Sequence, residues 1–203
     1  MKFTYQTDNT NQKLETYEWD NVWIEHANGS DAKRVLYIGD SISCGTRMVA
    51  TKQAGEKILF DGFGTSKALD NSWLKPSVGL FAQQQGRREA VIFNNGLHGW
   101  HIEDETEYKA LYEEMILFLL EEFKETPLLL VLTTHITDAE RDARVVLRNK
   151  AALELAEKYG LGVIDLYEVT KDEALIGPDG VHLTAEGYEL LAKTILEKVK
   201  EIV

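Results

Sequence analysis

Cysteine and proline are scarce in this sequence, which has one cysteine, Cys44, and three prolines among 203 residues. A single cysteine excludes an intramolecular disulfide. No Pro-rich, Ser-rich or repeated segment marks a linker, and a chain of this length with 44% hydrophobic residues can bury one domain core. We expect one domain over residues 34–203, preceded by residues 1–33 as an aromatic-containing strap packed on that core.

Long apolar runs and positive charge are also lacking. The longest apolar runs, such as LLLVL at 128–132, have the length of a strand, not of a membrane span. The first twenty residues are polar, without the apolar core of a secretory signal. The net charge is −12, which argues against nucleic acid and anionic membranes as partners. We therefore expect a cytoplasmic protein without a membrane partner, whose oligomeric state the sequence does not predict.

Short apolar runs alternate with helical patterns along the rest of the chain. Strands are predicted at 35–38, 57–60, 90–93, 128–132 and 162–166, with an edge-strand pattern at 21–25. Helices are predicted at 105–124, at 139–159 and from Thr184 to the C-terminus. This order predicts parallel strands joined by right-handed crossovers, and therefore a three-layer α/β/α fold.

A serine, Ser41, follows the first predicted strand of the domain in VLYIGDSISCG. If residues 41–50 form a helix, its hydroxyl lies among free N–H groups at the positive end of the helix dipole, which favour a developing oxyanion. A hydroxyl is a poor nucleophile without a base, so a histidine and an orienting carboxylate are needed.

Asp179 and His182 in DGVHLTAEGY supply both groups. The two residues are three positions apart in a segment with Gly177, Pro178 and Gly180, which favours a tight turn. A helix capped at Thr184 follows, so His182 is expected on a loop at the edge of the sheet where α/β proteins bind ligands. Either motif alone is common and is often merely structural, whereas the two together are far more specific.

With these motifs, the chain from residue 34 to 203 resembles the SGNH hydrolases, or GDSL-type esterases and lipases. The resemblance implies Ser41 as nucleophile, Asp179 and His182 as the rest of a catalytic triad, and a flavodoxin-like sheet of five parallel strands. It also implies oxyanion donors from a glycine after the second strand and from the asparagine of a Gly-x-Asn-Asp block after the third.

These two donor blocks are altered here. After residues 57–60, Gly64 is the preferred donor over Gly62, because a helical pattern is expected just after Gly64. The third block reads FNNGLHG, which places His98 at the asparagine position and resembles a branch with Asn-x-Gly-Leu-His. His98 is expected to donate to the oxyanion or to position substrate, with Asn94 as the alternative donor and Asn95 as a structural residue.

The other polar residues are weaker candidates for a catalytic role. For His101 and His135 a structural or substrate-contact role is favoured, because the triad already has its base. The charged residues of 137–149 are expected on a solvated helix face, with a lid or dimer surface as alternatives. We predict no metal and no cofactor, since neither cysteine pairs nor His-Glu-x-x-His spacing occurs.

The resemblance implies a serine esterase that forms an acyl-enzyme. A small-molecule or carbohydrate ester is the expected substrate. We favour a short acyl group, such as acetyl on a sugar, because no long apolar lid stands out and Trp100 could stack on a sugar ring. The alternatives are a lysophospholipase or thioesterase for longer acyl chains, and a catalytically silent carbohydrate-binding domain.

Overall fold

A computed structural model describes residues 13–29 and 31–203. The strands are β1 (Asp20–Trp23), β2 (Lys33–Gly39), β3 (Ile58–Thr65), β4 (Ala90–Phe93), β5 (Leu128–Val131) and β6 (Gly162–Ile164). The helices are α1 (Ser41–Gln53), α2 (Leu74–Gln85), α3 (Glu105–Glu122), α4 (Ala139–Tyr159), α5 (Leu166–Val169) and α6 (Ala185–Val199). A short 3₁₀ helix spans Glu173–Leu175. The first twelve residues of the predicted strap lie outside the described residues.

The strands form one sheet in the order β1-β3-β2-β4-β5-β6. Every neighbouring pair is parallel except β1 and β3, which are antiparallel. The predicted sheet of five parallel strands is therefore correct for β2 to β6 and wrong in its count, because β1 adds a sixth strand at one edge. The edge strand predicted at residues 21–25 is thus present, at residues 20–23, although all four of its residues are exposed.

Helices cover both faces of the sheet and give the predicted three layers. Alternate residues of β2 point to opposite faces, as the pleat requires: Leu36 and Ile38 join one apolar cluster, and Val35 and Tyr37 join the other. The first cluster contains buried residues of α2, α3 and the later part of α4. The second is closed mainly by α1 and α6.

The carboxyl ends of β3 and β6 differ from prediction for local reasons. β3 runs to Thr65, five residues beyond the predicted end, because it pairs with β2 as far as Gly64 and with β1 as far as Thr65. β6 stops at Ile164, because the Asp165 side chain accepts a hydrogen bond from the Glu168 N–H and caps α5. The helix predicted just after Gly64 does not exist, since α2 begins only at Leu74.

The loops that follow β2, β3, β4 and β5 meet at the carboxyl edge of the sheet, where open α/β sheets bind ligands. Ser41, His98 and His135 follow three of these strands. Across the described ranges, no helix is both long enough and apolar enough to cross a membrane.

Candidate active site

Ser41 is the first residue of α1 and is separated from the end of β2 by Asp40 alone. Asp40 caps this helix, because its side chain accepts a hydrogen bond from the Ile42 N–H at 2.9 Å. The turn is tight: a Cβ on Gly39 would lie 2.8 Å from that of Ser43. Glycine at position 39 therefore allows the chain to pass from strand to helix and present Ser41 at the carboxyl edge of the sheet.

His182 connects Ser41 to Asp179 through its two ring nitrogens. The Ser41 hydroxyl donates to His182 Nε2 at 2.8 Å, and His182 Nδ1 donates to Asp179 Oδ2 at 2.6 Å. A carboxylate at Nδ1 favours the tautomer that leaves Nε2 free to accept a proton. This is the geometry by which a serine hydroxyl is activated as a nucleophile.

The loop that carries Asp179 and His182 is held by its own backbone. Asp179 Oδ1 accepts from the N–H groups of Val181 and His182 at 3.0 and 2.9 Å, and the Gly177 N–H donates to the His182 carbonyl at 2.6 Å. Gly180 has a φ of 74°, and a Cβ there would lie 2.3 Å from Thr137 Oγ1. Glycine at this position satisfies both the backbone and the contact.

The same bonds fix the charge of Asp179. The His182 hydrogen bond, followed by the N–H groups of Val181 and His182, lowers the pKa of Asp179 to about 2. Asp179 is therefore a carboxylate at neutral pH and can stabilise the imidazolium that forms when His182 takes a proton.

Asp40 is a second carboxyl group near the site, and it is fully buried. Burial raises the pKa of Asp40, whereas the nearby imidazoles of His98 and His182 lower it. Asp40 Oδ2 has no hydrogen-bond partner among the described residues. His98 follows β4 as Ser41 follows β2, so both residues belong to the carboxyl edge of the sheet.

The register of β1 directs the Gly64 N–H away from Ser41. Gly64 pairs with Asn21 in the antiparallel ladder. Two residues further along the chain, the Ser66 N–H donates to the Trp19 carbonyl at 3.1 Å. Because bonded pairs alternate in an antiparallel ladder, the Gly64 N–H points to the Asn21 carbonyl. The structure gives no support to Gly64 as oxyanion donor. A Cβ on Gly64 would lie 2.3 Å from Cys44 Sγ. Glycine is therefore required at position 64 by packing.

The two asparagines after β4 use their amide groups within the protein. Asn94 Nδ2 donates to the Val131 carbonyl at 2.7 Å and to Thr133 Oγ1 at 2.9 Å. Asn95 Nδ2 donates to the Lys67 carbonyl at 2.9 Å. With both of its amide hydrogens bonded, Asn94 joins β4 to β5 and is a weaker candidate donor than His98.

His98 lies on the loop between β4 and α3, with 19% of its side chain exposed. Its Nδ1 is 3.6 Å from Glu15 Oε1, and its ring meets the Trp19 ring edge-on with centroids 6.2 Å apart. Of the predicted donors, His98 is the one whose side chain remains available to a substrate.

A buried arginine in α4 holds the His98 loop from inside the protein. The Arg148 guanidinium donates to the carbonyls of Gly96, His98 and Gly99 at 3.0, 2.7 and 2.8 Å, and Arg148 is 1% exposed. Arg144, on the same helix, donates to the carbonyls of Trp100 and Ile102. The prediction of a solvated charged face was wrong for these two residues.

Arg148 was missed although the helical spacing contains a signal for it. It falls in the buried stripe formed by Val145, Ala152 and Leu155, at steps of three and four residues. Its guanidinium also lies over the Trp100 ring, 4.7 Å from the centroid. Arg141 and Arg144 each lie 5.4 Å from that centroid. Three arginine side chains therefore pack near the Trp100 ring. The structure does not support the prediction that this ring stacks on a sugar.

The two remaining histidines at this edge each pair with an aspartate. His101 Nε2 lies 2.8 Å from Asp70 Oδ2. His135 Nδ1 lies 2.8 Å from Asp142 Oδ1, and the Tyr167 hydroxyl donates to Asp142 Oδ2 at 2.8 Å. Burial and then this bond raise the pKa of Tyr167 to about 12. Within the part of the chain that the structure describes, no three His, Cys, Asp or Glu residues are arranged to hold a metal ion.

Several solved structures resemble this one. An acetyl xylan esterase, AlAXEase, has a TM-score of 0.65 at 19% identity, over 82% of this chain and 99% of that chain. A lipase/acylhydrolase from Enterococcus faecalis has 0.65 at 18% identity, over 83% and 96% of the chains. A carbohydrate esterase family 3 protein from Talaromyces cellulolyticus has 0.66 at 15% identity, over 83% and 97%.

The chain has the SGNH hydrolase fold. No protein-family model and no curated protein matches the sequence. At identities of 15 to 19%, the similarity shows the fold and leaves activity and substrate to be argued from the site. Membership in the branch with Asn-x-Gly-Leu-His stays a prediction.

Proposed function

We propose that this protein is a serine esterase that hydrolyses carboxylic esters through an acyl-enzyme. The proposal depends most on one observation: Ser41, His182 and Asp179 are joined by hydrogen bonds of 2.8 and 2.6 Å, with the acceptor nitrogen of His182 on the serine side. A silent binding domain would have no need for this proton relay.

The geometry supports the following reaction. His182 takes the hydroxyl proton as Ser41 attacks the ester carbonyl, and Asp179 stabilises the imidazolium. The oxyanion forms at the N-terminus of α1, where the Ser41 N–H has no partner within the helix. His182 then protonates the departing alcohol, and a water activated by His182 hydrolyses the acyl-enzyme. We assign His98 to the substrate side of the site, as a hydrogen-bond partner of the bound ester.

We infer further that the acyl group is short and that the alcohol is a carbohydrate or another small polyol. Two of the similar structures are named as an acetyl xylan esterase and a carbohydrate esterase. A lipase/acylhydrolase is also similar, so an enzyme for longer acyl chains is the second candidate.

A series of p-nitrophenyl esters from acetate to decanoate tests the activity and the acyl length together. We expect kcat/KM to be highest for the shortest esters. Ser41→Ala should lower kcat by about 10⁵-fold or more, because the nucleophile is removed. Ser43→Ala is the matched control, since Ser43 lies on the same turn but is buried, with its hydroxyl donating to the Asp40 carbonyl at 2.6 Å.

Equal rates for Ser41→Ala and the unchanged protein would contradict the proposal. A rate that rises with chain length would favour the second candidate. No activity on any ester in the series would favour the silent binding domain.

A further inference from the structure

The chain segment just before β1 crosses two loops of the proposed active site. Its end is fixed to the loop after β3: the Trp19 N–H donates to Ser66 Oγ at 2.8 Å, and the Trp19 carbonyl accepts from the Ser66 N–H at 3.1 Å. Lys67 Nζ, in the same loop, lies 2.7 Å from Asp20 Oδ1. The segment is thus an extension of the sheet, which holds its side chains in place.

Glu15 reaches from this segment to the other loop, after β4. Its Oε1 accepts a hydrogen bond from the Gly99 N–H at 2.8 Å and lies 3.6 Å from His98 Nδ1. Arg148 already fixes the carbonyls of His98 and Gly99 from the protein interior. The backbone around His98 is therefore held from both sides, and Glu15 is the one of these two groups that also faces the His98 ring.

The Glu15 carboxylate faces one of the two ring nitrogens of His98, Nδ1. A distance of 3.6 Å exceeds a hydrogen bond, yet a carboxylate still favours a proton on the nitrogen that it faces. With that proton on Nδ1, neutral His98 presents Nε2 as a hydrogen-bond acceptor. Trp19 packs edge-on against the ring and limits its rotation. An acceptor on the loop after β4, at the same edge of the sheet as Ser41, suits a hydroxyl group on the alcohol part of the ester.

We propose that Glu15 is a positioning residue for His98, and that the pair makes the enzyme selective for esters whose alcohol carries a neighbouring hydroxyl group. The inference rests on the proposed esterase function and adds the chemical class of the alcohol. It also gives residues 15–19 a role beyond that of a strap on the core.

Two acetate esters that differ by one hydroxyl test this selectivity: cyclohexyl acetate and trans-2-hydroxycyclohexyl acetate. We expect the unchanged protein to prefer the hydroxylated ester by about tenfold in kcat/KM, the effect of one added hydrogen bond. Glu15→Gln keeps the length of the side chain and an oxygen for the Gly99 N–H. It should remove most of the preference through KM of the hydroxylated ester, and leave cyclohexyl acetate within about twofold.

Tyr17→Ala is the matched control, because Tyr17 belongs to the same segment and is 81% exposed. It should leave both rates unchanged. His98→Ala should also remove the preference, and adding Glu15→Gln to it should then have no further effect on the ratio, since Glu15 acts through His98.

Equal loss on both esters in Glu15→Gln, or an unchanged ratio, would overturn the inference while the esterase function stood. A further change of the ratio when Glu15→Gln is added to His98→Ala would overturn the link between the two residues. Absence of activity on both esters in the unchanged protein would instead overturn the proposed function and this inference with it.

Discussion

Asp179 is the member of the proposed triad whose contribution depends most on charge. It accepts three hydrogen bonds, from His182 Nδ1 and from the N–H groups of Val181 and His182. These bonds lower its pKa to about 2, so the carboxylate is ionised at every pH at which esterases are normally assayed. The ionised Asp179 carboxylate stabilises the folded loop at pH values above the ordinary pKa of an aspartate. This stabilisation is lost as the pH falls towards 2.

Asp179 should therefore add no acidic limb to the pH profile of kcat/KM in the usual assay range. Asp179→Asn should lower kcat by about 10³- to 10⁴-fold, since an amide can favour the wrong tautomer of His182. Steady-state kinetics from pH 4 to 9 on both proteins measure this. A loss below about tenfold would contradict the role given to Asp179.

At the residue scale, the sequence predicts some site residues and hides others. Ser41, Asp179 and His182 occur in short motifs, and the structure brings them within hydrogen-bond distance. Glu15 has no such signal, because it contacts a backbone N–H 84 residues away and nothing near it in the sequence marks the contact. The Gly64 prediction assumed that a helix starts beside it, whereas Gly64 lies inside β3 and pairs with Asn21.

Among the elements, α1 and α6 determine how Ser41 meets His182. They pack closely at Gly45, where a Cβ would lie 2.4 Å from Tyr188 Cε1. Tyr188 lies in the first turn of α6, and that helix begins at Ala185, three residues after His182. The spacing between the two helices is thus transmitted directly to the loop that carries the proposed base.

Gly45→Ala should force α1 and α6 apart. We expect the free energy of unfolding to fall by about 1–3 kcal/mol, as for overpacked cores, and kcat to fall because His182 moves from Ser41. Gly79→Ala in α2 is the control. The nearest atom to an added Cβ there is 3.8 Å away, so higher helix propensity should raise stability by up to about 1 kcal/mol without changing kcat. Urea unfolding and steady-state kinetics distinguish the two, and equal stability changes would contradict the packing argument.

Element boundaries were predictable where the local pattern is complete. α4 begins and ends at the predicted residues, because Asp138 caps its start and Gly160, in the left-handed conformation, ends it. The length of β3 was not predictable from its own residues, since its second half is a strand through pairing with β2 on one side and β1 on the other. The strand at 20–23 was identified from its alternation, but its partner and direction were not.

For the whole molecule, the strand order is what assembles the site. Ser41 and His182 are 141 residues apart in the sequence and meet only because β2 lies at the centre of the sheet and α6 packs on α1. The alternation of strands and helices predicts this three-layer arrangement. The conformation of the loop after β4 could not be predicted from its own residues, because Arg148 and Glu15 hold it from two distant segments of the chain.

The central claim is that folding turns Ser41 into a nucleophile. Labelling with a fluorophosphonate, followed by tryptic digestion and mass spectrometry, tests it most directly, because Ser41 and the buried Ser43 fall in one peptide, residues 35–47. We predict an adduct on Ser41 in the folded protein, and none in urea or in His182→Ala. An adduct on another serine, or no adduct in the folded protein, would contradict the account.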